Sequence, residues 1–293
     1  METLKNFCKL IRINNLLIIV AAQIFAYYFL SPSIAIQQLL APNFIGLLTL
    51  TFLVAAAGYI INDYMDVMLD LVNKPEKVIV GKSISRRWAM FLHLGLNAIA
   101  ILISYQLSKK LALMVSLCAL SLWIYSQLLK KMYLTGNVLV ALLTAFTIFI
   151  LLPYDSNVMQ AGIWVYGIFA FLSTLQREII KDTEDLRGDE KFKCKTLPIV
   201  LGIRKTKKVI MGLHIILIGL TLLYCSAFTN LSLSGANTNK YFLIYMGIFV
   251  LLPMAYMANL INKADIKKNF TQLSFIAKVI MLTGILSMCF WRF

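Results

Sequence analysis

The chain has few charged residues for its length. They make up 14% of its 293 residues, whereas a soluble domain carries about 25%. Hydrophobic residues reach 60%, and the mean hydropathy is +0.80. This composition excludes an ordinary soluble domain and predicts an all-α, polytopic membrane protein.

Histidine and cysteine are scarce and scattered. His93 and His214 stand alone in apolar runs, and none of the five cysteines forms a C-x-x-C pair. This pattern disfavours a zinc site, a disulfide framework and a c-type haem motif. The chain also lacks a P-loop, and its prolines and glycines do not cluster into a linker. We therefore predict one domain spanning residues 1–293.

Apolar runs that are long enough to cross a bilayer need about 20 residues. We predict nine transmembrane helices around a central cavity, in which helices 1–4 and 5–8 form a pseudo-repeat and helix 9 follows. The predicted spans are residues 13–31, 40–62, 87–107, 110–128, 134–153, 159–178, 208–228, 241–261 and 271–291.

The basic residues predict the orientation of the chain. It carries 28 Lys and Arg against 13 Asp and Glu, and most of these cations lie at the N-terminus or after spans 2, 4, 6 and 8. Cytoplasmic connections are rich in Lys and Arg, so we expect a cytoplasmic N-terminus in the cytoplasmic membrane, among membrane lipids. The positive charge then requires no nucleic-acid partner. The basic N-terminus also resembles a signal peptide, but the first apolar run is too long for one.

The few acids occur in two segments with the same i, i+3, i+7 spacing. We call Asp63, Asp66 and Asp70 the first acid triplet. Asp182, Asp185 and Asp189 form the second acid triplet. On a helix this spacing places three carboxylates on one face. Carboxylates bind divalent cations, which in turn hold phosphorylated substrates. Solvated helix caps are the alternative, but they explain only one or two of these acids.

Cations flank both triplets, and a tyrosine and a lysine end the fourth span. Metal ions and cations around one site bind and stabilise a leaving diphosphate. The alternative is that some are topology signals, and that the tyrosine and lysine form an interfacial belt. The residues that we predict to bind substrate are Lys74, Lys77, Tyr125, Lys130, Arg177 and Lys181.

At these motifs the sequence resembles the UbiA superfamily of intramembrane prenyltransferases. Residues 62–70 match its N-D-x-x-D-x-x-x-D motif, Asp185-x-x-x-Asp189 matches its second motif, and residues 125–130 correspond to its tyrosine–lysine element. Residues 177–189 and 195–199 are most similar to the geranylgeranylglycerol-phosphate geranylgeranyltransferase branch.

The resemblance implies a nine-helix fold around a cavity, two Mg²⁺ ions and a polyprenyl diphosphate donor. It also implies that both acid triplets are catalytic, with Asp63 and Asp182 supporting the metal residues or the acceptor. The metal-site residues that it implies are Asn62, Asp66, Asp70, Asp185 and Asp189. The diphosphate would meet Lys77, Lys130 and Arg177.

One segment departs from the family pattern. Relatives often read N-R-P-x-R-P after the first motif, whereas this chain reads N-K-P-E-K-V at residues 73–78. Lysine keeps the charge of arginine but loses its bidentate fork. The departure bears on donor affinity and acceptor identity, and it leaves the reaction class unchanged.

These observations predict a Mg²⁺-dependent enzyme that transfers a geranylgeranyl-type group from its diphosphate to a lipid or aromatic acceptor, on the cytoplasmic side. A geranylgeranylglycerol-phosphate-like acceptor is the first choice, and a quinone precursor such as hydroxybenzoate or naphthoate is the alternative. A transporter is a rival of another class, although its acids would lie near the bilayer midplane. A CDP-alcohol phosphotransferase would need a motif that is absent here.

Overall fold

The fold is built from α-helices, and the predicted all-α class is confirmed. The computed structural model describes residues 2–31, 33–231 and 236–292, without the side chains of residues 2, 3, 77, 230, 231 and 236–239. Apart from one isolated bridge between Val80 and Ile84, these ranges hold no β-pairing. The helices are α1 (Glu2–Leu10), α2 (Ile13–Phe29), α3 (Pro42–Asn73), α4 (Arg86–Leu107), α5 (Lys109–Gln127), α6 (Thr135–Phe149), α7 (Leu151–Tyr154), α8 (Gln160–Glu184), α9 (Leu186–Lys191), α10 (Leu197–Leu231), α11 (Ala236–Tyr245), α12 (Leu252–Lys263) and α13 (Lys267–Leu286).

Eight helical segments of the described residues are long and apolar enough to cross a membrane. A ninth span results if Leu4–Leu10 and Ile13–Phe29, which meet at 58°, count as one bent span. The count of nine therefore stays a prediction. The eight segments are Pro42–Asn73, Arg86–Leu107, Lys109–Gln127, Thr135–Tyr154, Gln160–Glu184, Leu197–Thr229, Lys240–Lys263 and Lys267–Trp291.

Two helices differ from the pattern of their apolar runs. The predicted span 208–228 belongs to a helix that begins at Leu197 and kinks at Gly202, whose φ of 76° favours glycine. The helix begins before the apolar run because an apolar run marks only the part of a helix that lies in lipid. The polar residues that precede it are helical as well. Between α11 and α12 the turns of Met246–Leu251 widen to a π-helix. Pro253 lies two residues after this segment, and proline cannot donate the hydrogen bond of a regular α-turn.

The outer face of the bundle is apolar. On α4, for example, Trp88, Phe91 and Leu102 are all exposed. Exposed apolar area of this extent fits contact with lipid tails rather than with water.

The two helices that carry the acids are the most buried spans. In α3 and α8, 56% and 44% of the residues in the apolar segment are buried, more than in any other span of the described residues. α3 packs against α4 and α5, while α8 packs against α6, α10 and α13. α3 also packs against α9, the short helix that follows α8, and this contact brings the C-terminal ends of α3 and α8 to the same region.

Candidate active site

A large cavity lies where α3 and α8 end. Its volume is about 930 Å³, and we call it the acidic chamber. All six carboxylates of the two acid triplets line it, together with Asn62. Folding therefore brings two acid clusters that are far apart in the sequence to the walls of one cavity.

The first acid triplet lies on one continuous helix, as its spacing predicts. α3 runs unbroken to Asn73. Asp63 accepts a 2.7 Å hydrogen bond from Nη2 of Arg12, and Asp66 forms an ion pair with Lys130. Within the described part of the chain, the Asp70 side chain makes no hydrogen bond or ion pair. Distant segments thus supply a cation to two of these three acids.

The second acid triplet does not lie on one helix, so the expectation of a single carboxylate face is wrong here. α8 ends at Glu184, and Asp185 forms the corner before α9 with φ −96° and ψ 11°. Asp182 belongs to the last turn of α8, whereas Asp189 belongs to α9. Aspartate favours such corners because its side chain competes for backbone hydrogen bonds. The bend still leaves all three carboxylates on the wall of the acidic chamber.

Lys74 connects the end of α3 to the second acid triplet. Its Nζ lies 2.9 Å from Oδ2 of Asp185 and 3.2 Å from Oε1 of Glu184. Burial lowers the pKa of Lys74, but the charges of Asp185 and Glu184 outweigh burial and raise the pKa above its ordinary value. Lys74 therefore stays an ammonium group between two carboxylates.

A second contact, the Asn73–Gly188 clamp, joins α3 to α9. The buried Asn73 side chain accepts a 2.9 Å hydrogen bond from the backbone N–H of Gly188. A Cβ at position 188 would overlap the Asn73 amide group, so the close approach requires glycine. The Asn73 carbonyl also accepts a 2.9 Å hydrogen bond from Nζ of Lys267. No sequence pattern predicted this clamp, although Asn73 closely follows the first acid triplet and Gly188 lies within the second.

Neutral donors hold the two remaining acids of the second triplet. Nδ2 of Asn137 donates a 2.7 Å hydrogen bond to Asp182, and the Thr196 hydroxyl donates one of 3.2 Å to Asp189. Burial raises the pKa of Asp189 to about 7, with the charges of Asp185 and Asp66 acting in the same direction against the Thr196 hydrogen bond. A cation in the chamber would favour the charged form of this carboxyl. No sequence pattern predicted a role for Asn137 or Thr196.

The predicted substrate-binding residues also surround the chamber. Glu178 accepts a 3.1 Å hydrogen bond from Nη1 of Arg177 and bonds of 3.0 and 2.9 Å from Nζ of Lys181. The side chain of Lys77 lies outside the described residues. The predicted residues that line the chamber are Lys74, Tyr125, Lys130, Arg177 and Lys181.

Arg12 is a residue whose role the sequence did not reveal, because its partner Asp63 lies 51 residues away. Its φ of 52° and ψ of 54° are left-handed, which costs a non-glycine residue about 1–3 kcal/mol. The ion pair with Asp63 and the Tyr59 ring, 4.9 Å from the guanidinium carbon, hold it there. The bend between α1 and α2 thereby delivers a cation to the chamber.

Two smaller cavities are lined mainly by apolar residues. The first apolar cavity, about 260 Å³, lies among α2, α3, α5, α6 and α8 and shares Asn62, Tyr125 and Arg177 with the acidic chamber. The second apolar cavity, about 160 Å³, lies among α2, α6, α8, α10 and α13. The shared lining makes the first apolar cavity continuous with the carboxylates of α3.

Carboxylates and cations that face an apolar interior define a class of membrane enzymes whose substrates have a charged head and a hydrocarbon tail. Residues 16–279 match the model of the UbiA prenyltransferase family. The chain belongs to this family, and the resemblance seen in the sequence motifs is confirmed. The prediction of a prenyltransferase is confirmed with it.

Relatives and solved structures extend this finding. The chain is 32% identical to the digeranylgeranylglyceryl phosphate synthase of Methanosphaera stadtmanae, over 80% of this chain and 83% of the relative. A structure described as giving insights into digeranylgeranylglyceryl phosphate synthase in membranes has a TM-score of 0.70 at 25% identity, over 99% of both chains. A UbiA homolog from Archaeoglobus fulgidus bound to GPP and Mg²⁺ has a TM-score of 0.63 at 16% identity, over 97% of this chain and 99% of that one. At 16% identity, the similarity to the Archaeoglobus fulgidus protein shows a shared fold.

Proposed function

We propose that this enzyme transfers a geranylgeranyl-type group from its diphosphate to the hydroxyl group of a prenylated glycerol phosphate lipid. The observation that carries the proposal is the meeting of both acid triplets in one chamber that continues into an apolar cavity. The similarity to a relative named digeranylgeranylglyceryl phosphate synthase supports the choice of acceptor.

We further propose that the chamber binds Mg²⁺, two ions as the resemblance implies. In the described residues no three His, Cys, Asp or Glu side chains converge as a metal cage. Mg²⁺ that binds with a phosphorylated substrate needs only one or two carboxylates per ion, with phosphate and water oxygens as its other ligands. The hard oxygens of the chamber and the open carboxylate of Asp70 fit this requirement. The proposed metal residues are Asn62, Asp66, Asp70, Asp185 and Asp189.

The residues of the chain act on the donor at both ends. When bound, Mg²⁺ neutralises charge on the departing pyrophosphate and so lowers the barrier to its release. Lys74 and Lys130 already contact the carboxylates, and their ammonium groups can turn to the phosphate oxygens. The first apolar cavity holds the start of the prenyl chain, at roughly 0.8 kcal/mol per buried CH₂.

Exclusion of water decides the product. The bond between C1 of the donor and the diphosphate oxygen breaks, and an ether bond forms from C1 to the acceptor oxygen, whose hydroxyl proton is released. Water that reached C1 would give a prenyl alcohol instead, so the apolar lining protects the transfer. Asp63 and Asp182, held by Arg12 and Asn137, are proposed to support the metal residues or the acceptor.

The arrangement in the membrane also belongs to this proposal. The cation-rich connections favour a cytoplasmic N-terminus and a chamber on the cytoplasmic side of the cytoplasmic membrane. We propose one domain over residues 1–293, with helices 1–4 and 5–8 as a pseudo-repeat and nine spans in total. The bend between α1 and α2 would then lie within the first span.

The test is prenyl transfer by the purified protein in nanodiscs. Labelled geranylgeranyl diphosphate, Mg²⁺ and either geranylgeranylglycerol phosphate, hydroxybenzoate or naphthoate are supplied, and mass analysis identifies the product. We expect the diether phosphate, and no product when EDTA removes the metal. Asp189→Asn should abolish transfer, whereas Glu190→Gln, an exposed neighbour, should not. Transfer to an aromatic ring alone would overturn the proposed acceptor. Flux of the substrate across liposome membranes without a covalent product would favour the transporter.

A further inference from the structure

Lys278 is a lysine in the middle of a membrane-spanning helix, α13. Charged side chains in spans are costly and mark functional sites unless a structural partner accounts for them. Among the described residues no carboxylate pairs with Lys278; its Nζ donates a 2.8 Å hydrogen bond to Oδ1 of Asn15 on α2. Lys278 is half-buried on the wall of the acidic chamber. A structural salt bridge therefore does not explain it.

Two further cations, Arg177 and Lys181 on α8, line the acidic chamber together with Lys278. The adjacent acid, Glu178, is shared by Arg177 and Lys181. Nε of Arg177 is buried without a hydrogen-bond partner. Among the described residues, Glu178 is the one carboxylate that forms an ion pair with any of these three cations, which leaves them capacity to bind an anion.

The helix faces that carry Lys278 and Asn15 continue into the lining of the second apolar cavity. Each polar residue shares a helical face with apolar residues one and two turns further along its helix. The apolar residues on these faces that line the second apolar cavity are Met281 and Ile285 on the face of Lys278, and Ile18, Ile19 and Ala22 on the face of Asn15. A ligand whose anionic head meets Lys278 can therefore extend its tail along these faces into this cavity, while Asn15 itself also lines the first apolar cavity.

The proposed reaction brings together two substrates that each carry a prenyl chain. The first apolar cavity shares Asn62, one of the proposed metal residues, with the acidic chamber, so it suits the donor. The second apolar cavity shares none of its lining with the acidic chamber but meets the first at Ile19, Thr144 and Thr147. Its volume of about 160 Å³ takes the part of a chain nearest the head group.

We propose that Lys278 and Asn15 bind the phosphate monoester of the acceptor lipid, and that the second apolar cavity receives the head-proximal part of the acceptor's prenyl chain. This inference rests on the proposed function and adds a specificity-determining site to it. The donor diphosphate is the other source of phosphate oxygens near this wall. Separate KM values for donor and acceptor distinguish the two.

The test compares Lys278→Met with wild-type enzyme in nanodiscs. Without the charge-assisted hydrogen bond, the KM for geranylgeranylglycerol phosphate should rise about 10- to 100-fold, with the donor KM unchanged. With geranylgeranylglycerol, which lacks the phosphate, both enzymes should have the same, high KM. Lys278→Arg should retain most of the phosphate preference. Lys268→Met, an exposed lysine of the same helix, is the matched control and should behave as wild type.

Asn15→Asp provides a second variant that does not remove the lysine. It places a carboxylate 2.8 Å from Nζ of Lys278, so it should raise the acceptor KM in the same way. An equal loss with the phosphorylated and the dephosphorylated acceptor, or a rise in the donor KM alone, would overturn the inference. An unchanged acceptor KM in Lys278→Met would overturn it while the proposed function stands. A wild-type enzyme that uses only aromatic acceptors would overturn both.

Variants of Gly284 test whether the acceptor's prenyl chain occupies the second apolar cavity. Gly284 lines this cavity, and a Cβ there meets no atom within 4 Å. Gly284→Leu should therefore fill the cavity and raise the KM for the geranylgeranyl acceptor relative to one with a five-carbon chain. Gly284→Ala is the matched control with almost no added bulk. Equal effects of both variants on both acceptors would contradict the assignment of the cavity.

Discussion

The Asn73–Gly188 clamp makes a quantitative prediction about how the two acid triplets are held together. Gly188→Ala places a Cβ where the Asn73 amide group now lies. The amide must move, which breaks the 2.9 Å hydrogen bond from Gly188 N–H to Asn73 Oδ1. This movement relieves the overlap and leaves a buried donor without its partner, which costs about 1–3 kcal/mol. The expected loss of stability is therefore about 1–3 kcal/mol.

The loss falls on the contact between α3 and α9, so it should change activity more than membrane insertion. Asp185 and Asp189 would move relative to the first acid triplet, and a displacement of about 1 Å at a catalytic site can cost about 100-fold in rate. We expect a fall of that size in the rate of prenyl transfer, and a higher Mg²⁺ concentration for half-maximal activity. Initial rates across a Mg²⁺ titration and the thermal midpoint in nanodiscs measure both effects.

Two control variants test whether Asn73 is the reason that position 188 is glycine. Gly95→Ala adds the same methyl group in the middle of α4, where a Cβ meets nothing within 4 Å, so its rate should match wild type. In an Asn73→Ala background the clash is gone, and Gly188→Ala should then cost far less than it does alone. If Gly188→Ala costs the same in both backgrounds, Asn73 is not the reason that position 188 is glycine.

Three further predictions concern the chamber and its first apolar cavity. Asp66→Ala or Asp185→Ala should abolish transfer while the protein still inserts, as judged by membrane fractionation; full Mg²⁺-dependent activity in both would refute the metal assignment. Lys74→Met leaves Asp185 and Glu184 without their shared cation and should raise the donor KM about tenfold, with Lys74→Arg closer to wild type; an unchanged donor KM would contradict its role. Ala55→Phe should fill part of the first apolar cavity and shift donor preference from geranylgeranyl towards geranyl diphosphate in competition assays, whereas an unchanged preference would separate this cavity from the donor chain.

The parts of the site that the sequence predicts are those that depend on local geometry. Asp63, Asp66 and Asp70 share a helix face because i, i+3 and i+7 coincide on any α-helix. The same spacing in the second acid triplet gives a different structure, since the chain turns at Asp185. Equal spacing therefore located both clusters, but only the three-dimensional fold decides how each presents its oxygens.

The residues that the sequence missed act across long separations. Arg12 reaches Asp63, Asn137 reaches Asp182 and Asn73 reaches Gly188. None of these pairs has a spacing that a helix or turn would explain, so a single sequence gives no signal for them. A bend such as the one at Arg12 depends on tertiary contacts that stabilise a left-handed backbone.

The partners of five of the six carboxylates, all but Asp70, explain how the chamber folds without bound metal. Six like charges facing one cavity would repel one another, yet Asp63, Asp66 and Asp185 each contact a cation. Asp182 and Asp189 have neutral donors instead. Each cation lies outside the helix turn that carries its acid, so a cation can exchange a carboxylate for a phosphate without unwinding that helix. If Mg²⁺ binds as proposed, the carboxylates would hold it and the ammonium groups of Lys74 and Lys130 would be free to meet the diphosphate. Lys74 and Lys130 contact these acids in the structure and are proposed to bind the donor diphosphate. Replacing either one should therefore lower both the stability of the metal-free protein and the affinity for the donor.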